Sequence, residues 1–367
     1  MHTSTGSIAF VSMGHYPSGF RVGGISNVMA GWAQALNGRY DVHVVAVYDT
    51  VPDDLDEAFA AHAHRLAGVR KHAVGSPAEA AEVVAGMDLV SLHQEAHWLP
   101  YLPQAGLMMH NPPCFTPGRV WPPAADPGAL RAAIAGAPSR QACSRWLAGL
   151  IEAEVAAGVD VVTPFVAAEF VGQPRVEKGR HVVWAGRLVA NKGLADAATV
   201  AGRLGVELRV TDVTPGVLDP ETAGFRDRLR RLPGVRLVPP PSSPAEVAGL
   251  FAAASAVVLP SVGEPFGMVS IEAQASGTRT VVYADAGLPE TVGPAAVAVP
   301  VGDLDALTAA VRDALDAPEV PAGSRAWVAE RFSLDRSLRA LLRSLGGGPD
   351  PVGAGAPVPA RTPGTIG

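Results

Sequence analysis

The 367-residue sequence contains only two cysteines, Cys114 and Cys143, and only three lysines. Two cysteines are too few for a disulfide framework or a cysteine-rich metal site, so we expect both to be reduced thiols. No apolar run approaches the ~20 residues that a membrane-spanning helix needs. The apolar run at 8–13 is short and has no basic region before it, so we expect no signal peptide. These absences predict a soluble, cytoplasmic protein without stable membrane insertion.

Charged residues are also scarce, at 17% of the sequence, and they leave a net charge of −6 at pH 7. A mildly acidic chain argues against nucleic-acid binding, which needs a basic surface. Hydrophobic residues make up 48% of the sequence, which excludes a disordered or fibrous class. Because the chain is too long for one typical core, we expect two domains.

The first half of the chain alternates short apolar runs with longer amphipathic ones. Strands are predicted at 7–13, 42–47, 88–92 and 106–109, and helices from about Ile25, at 124–137 and at 142–157. This β-loop-α-β order is typical of a doubly wound parallel sheet of the α/β class. Ligands of such a sheet bind beyond the carboxyl ends of its strands.

Several polar or glycine residues follow these predicted strands. Gly23 and Gly24 end the loop after the first strand, where a glycine pair is either a tight connection or a place for backbone amides to approach a ligand. His93 and Glu95 follow the third strand, and His110 follows the fourth. We expect these three side chains at the edge of the crevice. No fixed ligand spacing supports a histidine metal site.

The second half repeats the alternation. Strands are predicted at 181–185, 206–210, 235–238, 256–259 and 280–283, and helices at 304–315 and 333–345. The loop after the first of these strands reads GRLVANKG and contains Arg187 and Lys192. A guanidinium grips a phosphate with its planar fork, and an ammonium adds a mobile positive charge. Such a pair in isolation is also common on solvated loops.

One segment combines the end of a buried strand, a glycine-bearing turn and the start of a helix. It spans residues 259–277 and reads LPSVGEPFGMVSIEAQASG. The first backbone amides of such a helix are unpaired and partly positive, which makes an anion site. Glu264 lies in the turn, and Glu272 lies about 9 Å further along the helix axis. A carboxylate does not bind a phosphate, because both are negatively charged. The two glutamates therefore indicate a ligand with hydroxyl groups on both sides of its phosphate. A nucleotide sugar has that arrangement.

The two motifs together resemble the signature of a known enzyme family. Glu264-x7-Glu272 within EPFGMVSIEAQASG, with G-R-x4-K-G at 186–193, is similar to the pattern of retaining glycosyltransferases of family 4. The resemblance implies the GT-B fold, in which two Rossmann-like doubly wound domains face a central cleft. With it we divide the chain into an acceptor-binding domain (1–165), a linker (166–179), a nucleotide-sugar donor-binding domain (180–330), a helix returning to the first domain (331–345) and a disordered tail (346–367).

The resemblance also implies roles for individual residues. It implies donor binding by Gly23, Gly24, Arg187, Lys192, Glu264, Phe266, Gly267, Met268 and Glu272, catalysis by His110, Glu264, Arg187 and Lys192, and acceptor binding by His93, Glu95 and His110. Glu264 is expected to hold hydroxyls of the donor sugar, and Glu272 those of the ribose. The departing phosphate, rather than a side chain, is expected to take the acceptor proton. The chain departs from the family at Ala286, where a glycine is common.

The reaction that the resemblance implies is transfer of a hexose or N-acetylhexosamine from a nucleoside diphosphate sugar to an acceptor hydroxyl, with retention of configuration. The motif also resembles enzymes of actinobacterial natural-product pathways, which implies a UDP-linked donor such as UDP-N-acetylglucosamine and a soluble aminocyclitol acceptor in antibiotic biosynthesis. Arg187, Lys192 and the helix start replace a metal, so no cofactor is expected. The alternatives are a nucleotide-sugar epimerase or hydrolase of the same fold, or a binding subunit without turnover. The oligomeric state is left open.

Two Asp-x-Asp triplets, at 54–56 and 303–305, imitate the metal-binding motif of the other glycosyltransferase fold. Each directly precedes a predicted helical run. Asp303 is therefore predicted to be an N-cap, whose carboxylate accepts hydrogen bonds from amides of the first helical turn. We predict no metal site at either triplet.

Overall fold

A computed structural model describes residues 6–14, 24–113, 126–212, 220–239, 241 and 243–347. Within these residues the chain forms one seven-stranded and one six-stranded sheet, and all strand pairings are parallel. Gly23, Cys114 and most of the predicted tail, 348–367, lie outside the described residues.

The first sheet is built from residues 7–161. Its strands are β1 (Ser7–Met13), β2 (Asp41–Val47), β3 (Arg70–Val74), β4 (Leu89–His93), β5 (Gly106–Met109), β6 (Arg140–Ala142) and β7 (Val159–Val161), and its main helices are α1 (Gly24–Leu36), α2 (Leu55–Ala58), α3 (Pro77–Val83), α4 (Pro127–Gly136) and α5 (Arg145–Glu154). The spatial order is β3-β2-β1-β4-β5-β6-β7. The order reverses between β1 and β4, and such a switch point opens a crevice beyond the strand ends.

A short helix, α6 (Ala168–Val171), follows, and the second sheet then repeats the plan. Its strands are β8 (Gly179–Gly186), β9 (Glu207–Asp212), β10 (Val235–Val238), β11 (Ala254–Leu259), β12 (Arg279–Tyr283) and β13 (Ala296–Val299), and its helices are α7 (Leu194–Leu204), α8 (Pro220–Leu229), α9 (Pro244–Ala252), α10 (Met268–Ala275) and α11 (Leu304–Asp316). The order β10-β9-β8-β11-β12-β13 puts its switch point between β8 and β11. The predicted pair of doubly wound α/β domains is confirmed.

Burial explains why the central strands read as continuous apolar runs. Every residue of β11 is buried, as are Ile8 to Val11 of β1. A central strand of a parallel sheet is covered by helices on both faces, so alternation of polar and apolar residues is lost. The N-cap prediction for Asp303 is also confirmed, because its carboxylate accepts from the amides of Asp305 and Ala306 at the start of α11.

Two further helices, α12 (Ser324–Arg331) and α13 (Leu334–Ser344), end the described chain. Helix α13 lies against the first sheet domain. The Trp32 indole donates to Ser337 Oγ over 3.0 Å, and Ser337 Oγ donates to the Thr163 carbonyl over 2.6 Å. At the other end of the helix, Gln141 Nε2 donates to Ser344 Oγ over 2.9 Å. The chain therefore crosses between its two domains twice.

Some elements differ from the sequence prediction. The predicted helix at 142–157 is wrong at its start, because residues 140–142 form β6 and Ser144 caps a helix that begins at Arg145. Strand β3 was not predicted, since its sequence RKHAV is polar. It lies at the edge of the sheet, where a strand is covered less completely. The predicted linker also contains the short helix α6.

Candidate functional site

The carboxyl ends of both sheets face each other, and two helix starts meet there. Helix α1 begins at Gly24 and α10 begins at Met268. A Cβ atom on Gly24 would lie 3.7 Å from Met268 Cγ. Two predicted donor-binding residues from opposite domains are therefore in close approach.

The turn before α10 depends on a glycine. Gly267 is the N-cap with φ 104°, and a Cβ there would lie 2.6 Å from Leu288 Cδ2. Among the described residues, no side chain caps this helix start. Since the first-turn amides of a helix have no intrahelical acceptor, those at Met268 and Val269 can serve an anion. The side chain of Phe266, a residue predicted to bind donor, is buried against the Phe332 ring, with centroids 5.6 Å apart.

The two sequence motifs are joined by an ion pair. Lys192 Nζ donates to Glu264 Oε2, although the residues are 72 positions apart. The loops around them are also fixed to each other, since Val262 N donates to the Asn191 carbonyl over 2.8 Å. Gly193 has φ 66°, and a Cβ there would lie 1.9 Å from the Pro260 carbonyl oxygen, so this approach requires glycine. The structure thus brings the predicted phosphate-binding lysine to the predicted sugar-binding glutamate.

The ion pair has an electrostatic consequence for ligand binding. Both side chains are about four-fifths buried, at 20% and 19% exposure, so their interaction is screened less than a surface pair. The charge of Lys192 is neutralised by Glu264. A diphosphate bound at the predicted site would therefore compete with Glu264 for the ammonium group. Arg187, at the end of β8, is half-buried.

Glu272 lies on α10 at the interface between the domains. Burial raises its pKa to about 7, and the positive charge of Arg65 from the first domain acts in the opposite direction. Arg65 is itself buried, with Nη2 3.7 Å from Glu169 Oε1 of α6. Sequence reasoning did not find Arg65, because a single arginine in a loop belongs to no motif.

His110 follows β5 and stacks on His93 from the neighbouring strand, with ring centroids 5.2 Å apart. His110 Nε2 lies 3.0 Å from His93 Nδ1. Burial lowers the pKa of His110 to about 3 and that of His93 well below its ordinary value, so both rings are neutral. His93 is only 1% exposed. It lies behind His110 and beside the stacked Phe10 and Trp32 rings, each 5.9 Å away by ring centroid, and not at the surface of an acceptor pocket as the sequence suggested.

Gln94 fixes the backbone beside His110. Its side-chain oxygen accepts from the amides of His110 and Asn111 over 3.0 and 2.9 Å. Gln94 has φ 71°, which is unfavourable for a residue with a side chain. No sequence signal identified it. The next residue, Glu95, is one-fifth exposed, and burial raises its pKa to about 7.

The loop after β12 supports the Glu264 turn. Asp285 Oδ2 accepts from Gly263 N over 2.5 Å, and Gly287 N donates to the Glu264 carbonyl over 2.9 Å. Ala286, where the sequence departs from the family pattern, has φ 49°. The departure therefore leaves an alanine in a backbone conformation that glycine adopts more easily.

Contacts between the domains surround this region. The Glu290 carboxylate accepts from Arg145 N and Trp146 N, over 3.0 and 2.8 Å, at the start of α5. The Cys143 thiol lies 3.6 Å from the His110 carbonyl and 4.0 Å from the Pro265 carbonyl. Burial raises the pKa of this free thiol, so it is unionised.

The described residues contain neither a metal-binding cluster nor a membrane-spanning helix. In that part of the chain, no group of three or more histidine, cysteine, aspartate or glutamate side chains is arranged to hold a metal ion. Nor is any helix within the described ranges long and apolar enough to cross a membrane.

The second domain is similar to known proteins. Residues 179–317 match the family described as "Glycosyl transferases group 1". A D-inositol 3-phosphate glycosyltransferase of Mycolicibacterium paratuberculosis is 39% identical over 136 residues, which are 35% of this chain and 31% of that relative. The chain thus matches about a third of the length of this curated relative.

Solved structures extend the similarity to both domains. A glycosyltransferase from Rickettsia africae ESF-5 superposes with a TM-score of 0.70 at 14% identity, covering 92% of this chain and 97% of that one. Anabaena Alr3699/HepE in complex with UDP-glucose superposes with a TM-score of 0.68 at 16% identity, covering 92% and 99%. The chain therefore has the GT-B fold, and its residues 179–317 match the group 1 glycosyl transferases.

Proposed function

We propose that the chain is a retaining glycosyltransferase of family 4 that moves a hexose or N-acetylhexosamine from a UDP-linked donor to a hydroxyl of a small-molecule acceptor. The observation that carries this proposal is the Lys192–Glu264 ion pair beside the uncapped start of α10. In this pair, the Lys192 ammonium group can bind a diphosphate and the Glu264 carboxylate can bind sugar hydroxyls. Both groups lie at the same point of the cleft.

The donor would lie between the two domains. Its diphosphate would accept from the first amides of α10 and from Lys192 and Arg187, which stabilise the negative charge that grows as the sugar leaves. Glu264 would hold sugar hydroxyls and Glu272 the ribose. The bond from the anomeric carbon to the diphosphate breaks, the acceptor oxygen bonds to that carbon on the same face, and the leaving phosphate takes the acceptor proton.

The substrate classes are supported by the named relatives. The complex of Anabaena Alr3699/HepE contains UDP-glucose, which supports a UDP-linked donor. The curated relative is named for inositol 3-phosphate, a polyol derivative, which supports a polyhydroxylated acceptor. We propose an aminocyclitol of antibiotic biosynthesis as the narrower acceptor class, since the half-buried Glu95 carboxyl, next in the chain to the Gln94 that binds the His110 amide, could receive a cationic group.

Donor consumption with and without acceptor tests the proposal. First, thermal unfolding is measured with a panel of nucleoside diphosphate sugars, since a ligand of the native state raises the unfolding temperature. The stabilising donor is then incubated with candidate acceptors, and we expect product only when an acceptor is present. Loss or isomerisation of the donor alone would identify a hydrolase or epimerase, and binding without any product would identify a binding subunit.

Retention and independence from metal are separate parts of the proposal. We expect activity to survive excess EDTA, because Arg187, Lys192 and the start of α10 supply the positive charge. Arg187→Ala or Lys192→Ala should lower turnover by about two orders of magnitude, as removal of a preorganised charge-stabilising group does. Loss of activity with EDTA and its recovery with Mg²⁺ would contradict the metal-independent mechanism. The anomeric coupling of the product, read by proton NMR, tests retention.

A further inference from the structure

Three buried polar side chains form a hydrogen-bonded series that ends at the cleft. Ser91 Oγ lies 3.1 Å from His93 Nε2, and His93 Nδ1 lies 3.0 Å from His110 Nε2. Ser91 is fully buried, His93 is 1% exposed and His110 is 8% exposed. Exposure therefore increases along the series towards the edge where the donor and acceptor would meet.

Two arrangements of the protons are compatible with neutral rings. In the first, the Ser91 hydroxyl donates to His93 Nε2, and His93 Nδ1–H donates to His110 Nε2. His110 then carries its proton on Nδ1. In the second, every bond is reversed: His110 Nε2–H donates to His93, and His93 Nε2–H donates to Ser91. His110 Nδ1 is then unprotonated and carries a lone pair.

The Ser91 hydroxyl distinguishes the two arrangements. In the first its hydrogen is bonded to His93. In the second that hydrogen needs another acceptor, and the described part of the chain offers Ser91 Oγ no hydrogen-bond partner besides His93. Leaving a fully buried donor unsatisfied is unfavourable. The first arrangement satisfies the Ser91 hydroxyl, both ring nitrogens of His93 and His110 Nε2, and is therefore favoured.

We propose that Ser91 and His93 are positioning residues that hold His110 as its Nδ1–H tautomer, so that His110 is a hydrogen-bond donor to an oxygen of the bound substrates. Since Nε2 is turned towards His93, Nδ1 is the ring nitrogen left to meet a ligand. In this tautomer Nδ1 has no lone pair, so His110 cannot take the acceptor proton. The effect on turnover, unlike the tautomer itself, rests on the proposed transferase function.

The tautomer can be measured without substrate. Protein labelled with ¹⁵N at histidine gives two-bond ¹H–¹⁵N correlations that distinguish a protonated from an unprotonated ring nitrogen, and His110→Asn assigns the resonance. We expect His110 of the wild type to be protonated at Nδ1. A wild-type His110 protonated at Nε2 would overturn the proposal.

The variants test which residues hold the tautomer. Ser91→Ala removes the donor that favours the first arrangement, so His110 should become a mixture of both tautomers. The second histidine pair is the matched control: His43 Nδ1 lies 3.0 Å from His72 Nε2, and the rings stack with 6° between their planes. His72→Asn should leave the His110 resonances unchanged. Unchanged His110 resonances in Ser91→Ala would overturn the role of Ser91.

Kinetics then separate a positioning role from a structural one. His93→Leu should lower kcat about tenfold, the worth of one net hydrogen bond. His93→Asn should recover much of that loss, because the side-chain amide can still donate to His110 Nε2. If His93→Leu fails to fold, the comparison is made with Ser91→Ala. If the variants lose the Nδ1–H tautomer but keep the wild-type kcat, His110 is not a hydrogen-bond donor to the substrates. That result would leave the proposed transferase function intact.

Discussion

At the scale of single residues, the Lys192–Glu264 ion pair would couple the two halves of the proposed donor. From the sequence alone, Glu264→Gln is expected to leave the affinity for free nucleoside diphosphate nearly unchanged, because that product has no sugar. The structure alters this expectation. Lys192 is neutralised by Glu264, so removal of the carboxylate charge releases the ammonium group for the diphosphate.

We therefore predict that Glu264→Gln binds nucleoside diphosphate about three- to tenfold more tightly, on the order of 1 kcal/mol, while its turnover falls. Glu272→Gln should weaken binding of the same nucleotide, because an amide donor replaces one of the two carboxyl oxygens that could accept from the ribose hydroxyls. Calorimetry measures both. Asp305→Asn, which removes the exposed Arg203–Asp305 pair, is the control and should leave nucleotide affinity unchanged. Weaker nucleotide binding by Glu264→Gln would contradict the competition between Glu264 and phosphate.

Glu272 should also make stability depend on pH. Its pKa in the folded protein is raised to about 7 from the ordinary 4.5. A raised pKa contributes stability that is fully present below pH 4.5 and is lost as the pH rises through 7. Glu272→Gln cannot ionise, so its free energy of unfolding relative to wild type should be higher at pH 8 than at pH 5. Urea unfolding of both proteins at both pH values measures this difference in free energy. A difference that is the same at pH 5 and pH 8, or larger at pH 5, would contradict the prediction.

At the scale of elements, the start of α10 is fixed by one backbone conformation. Gly267→Ala places a Cβ at φ 104° and 2.6 Å from Leu288 Cδ2, so we predict a loss of about 2–4 kcal/mol of stability and weaker nucleotide binding. Gly202→Ala in α7 is the control, since its Cβ meets nothing within 4 Å. That variant should gain about 0.5–1 kcal/mol, because alanine is favoured over glycine in a helix. Thermal unfolding and calorimetry with UDP measure both effects.

The site elements show which features a sequence can reveal. The strand-turn-helix around Glu264 and the loop with Lys192 were predicted because each is local and carries its own spacing. The ion pair between them was not, since it depends on how two loops 72 residues apart are brought together. Ser91 and His93 share one face of β4 by the period of two, but their link to His110 depends on the pairing of β4 with β5. Gln94 has a positive φ that nothing in its neighbours indicates.

At the scale of the whole molecule, the site exists only where the domains meet. Gly24, His110 and Arg65 come from the first domain, and Lys192 and Glu272 come from the second. Glu290 binds the start of α5 across this boundary through two backbone amides and lies 3.6 Å from the Arg145 guanidinium. A carboxylate at a helix start is favourable for the helix dipole and for its unpaired amides. Here the same contact also holds two domains together.

We predict that Glu290→Ala opens the cleft. The variant should show a larger radius of gyration in small-angle X-ray scattering and a higher KM for the donor. Glu79→Ala is the matched control, because the Glu79 carboxylate accepts from Gly75 N and Ser76 Oγ at the start of α3, within one domain. Its loss should lower stability by about 1 kcal/mol with no change in scattering. If Glu290→Ala scatters as the wild type does and only its stability falls, Glu290 is a helix cap alone and other contacts keep the domains closed.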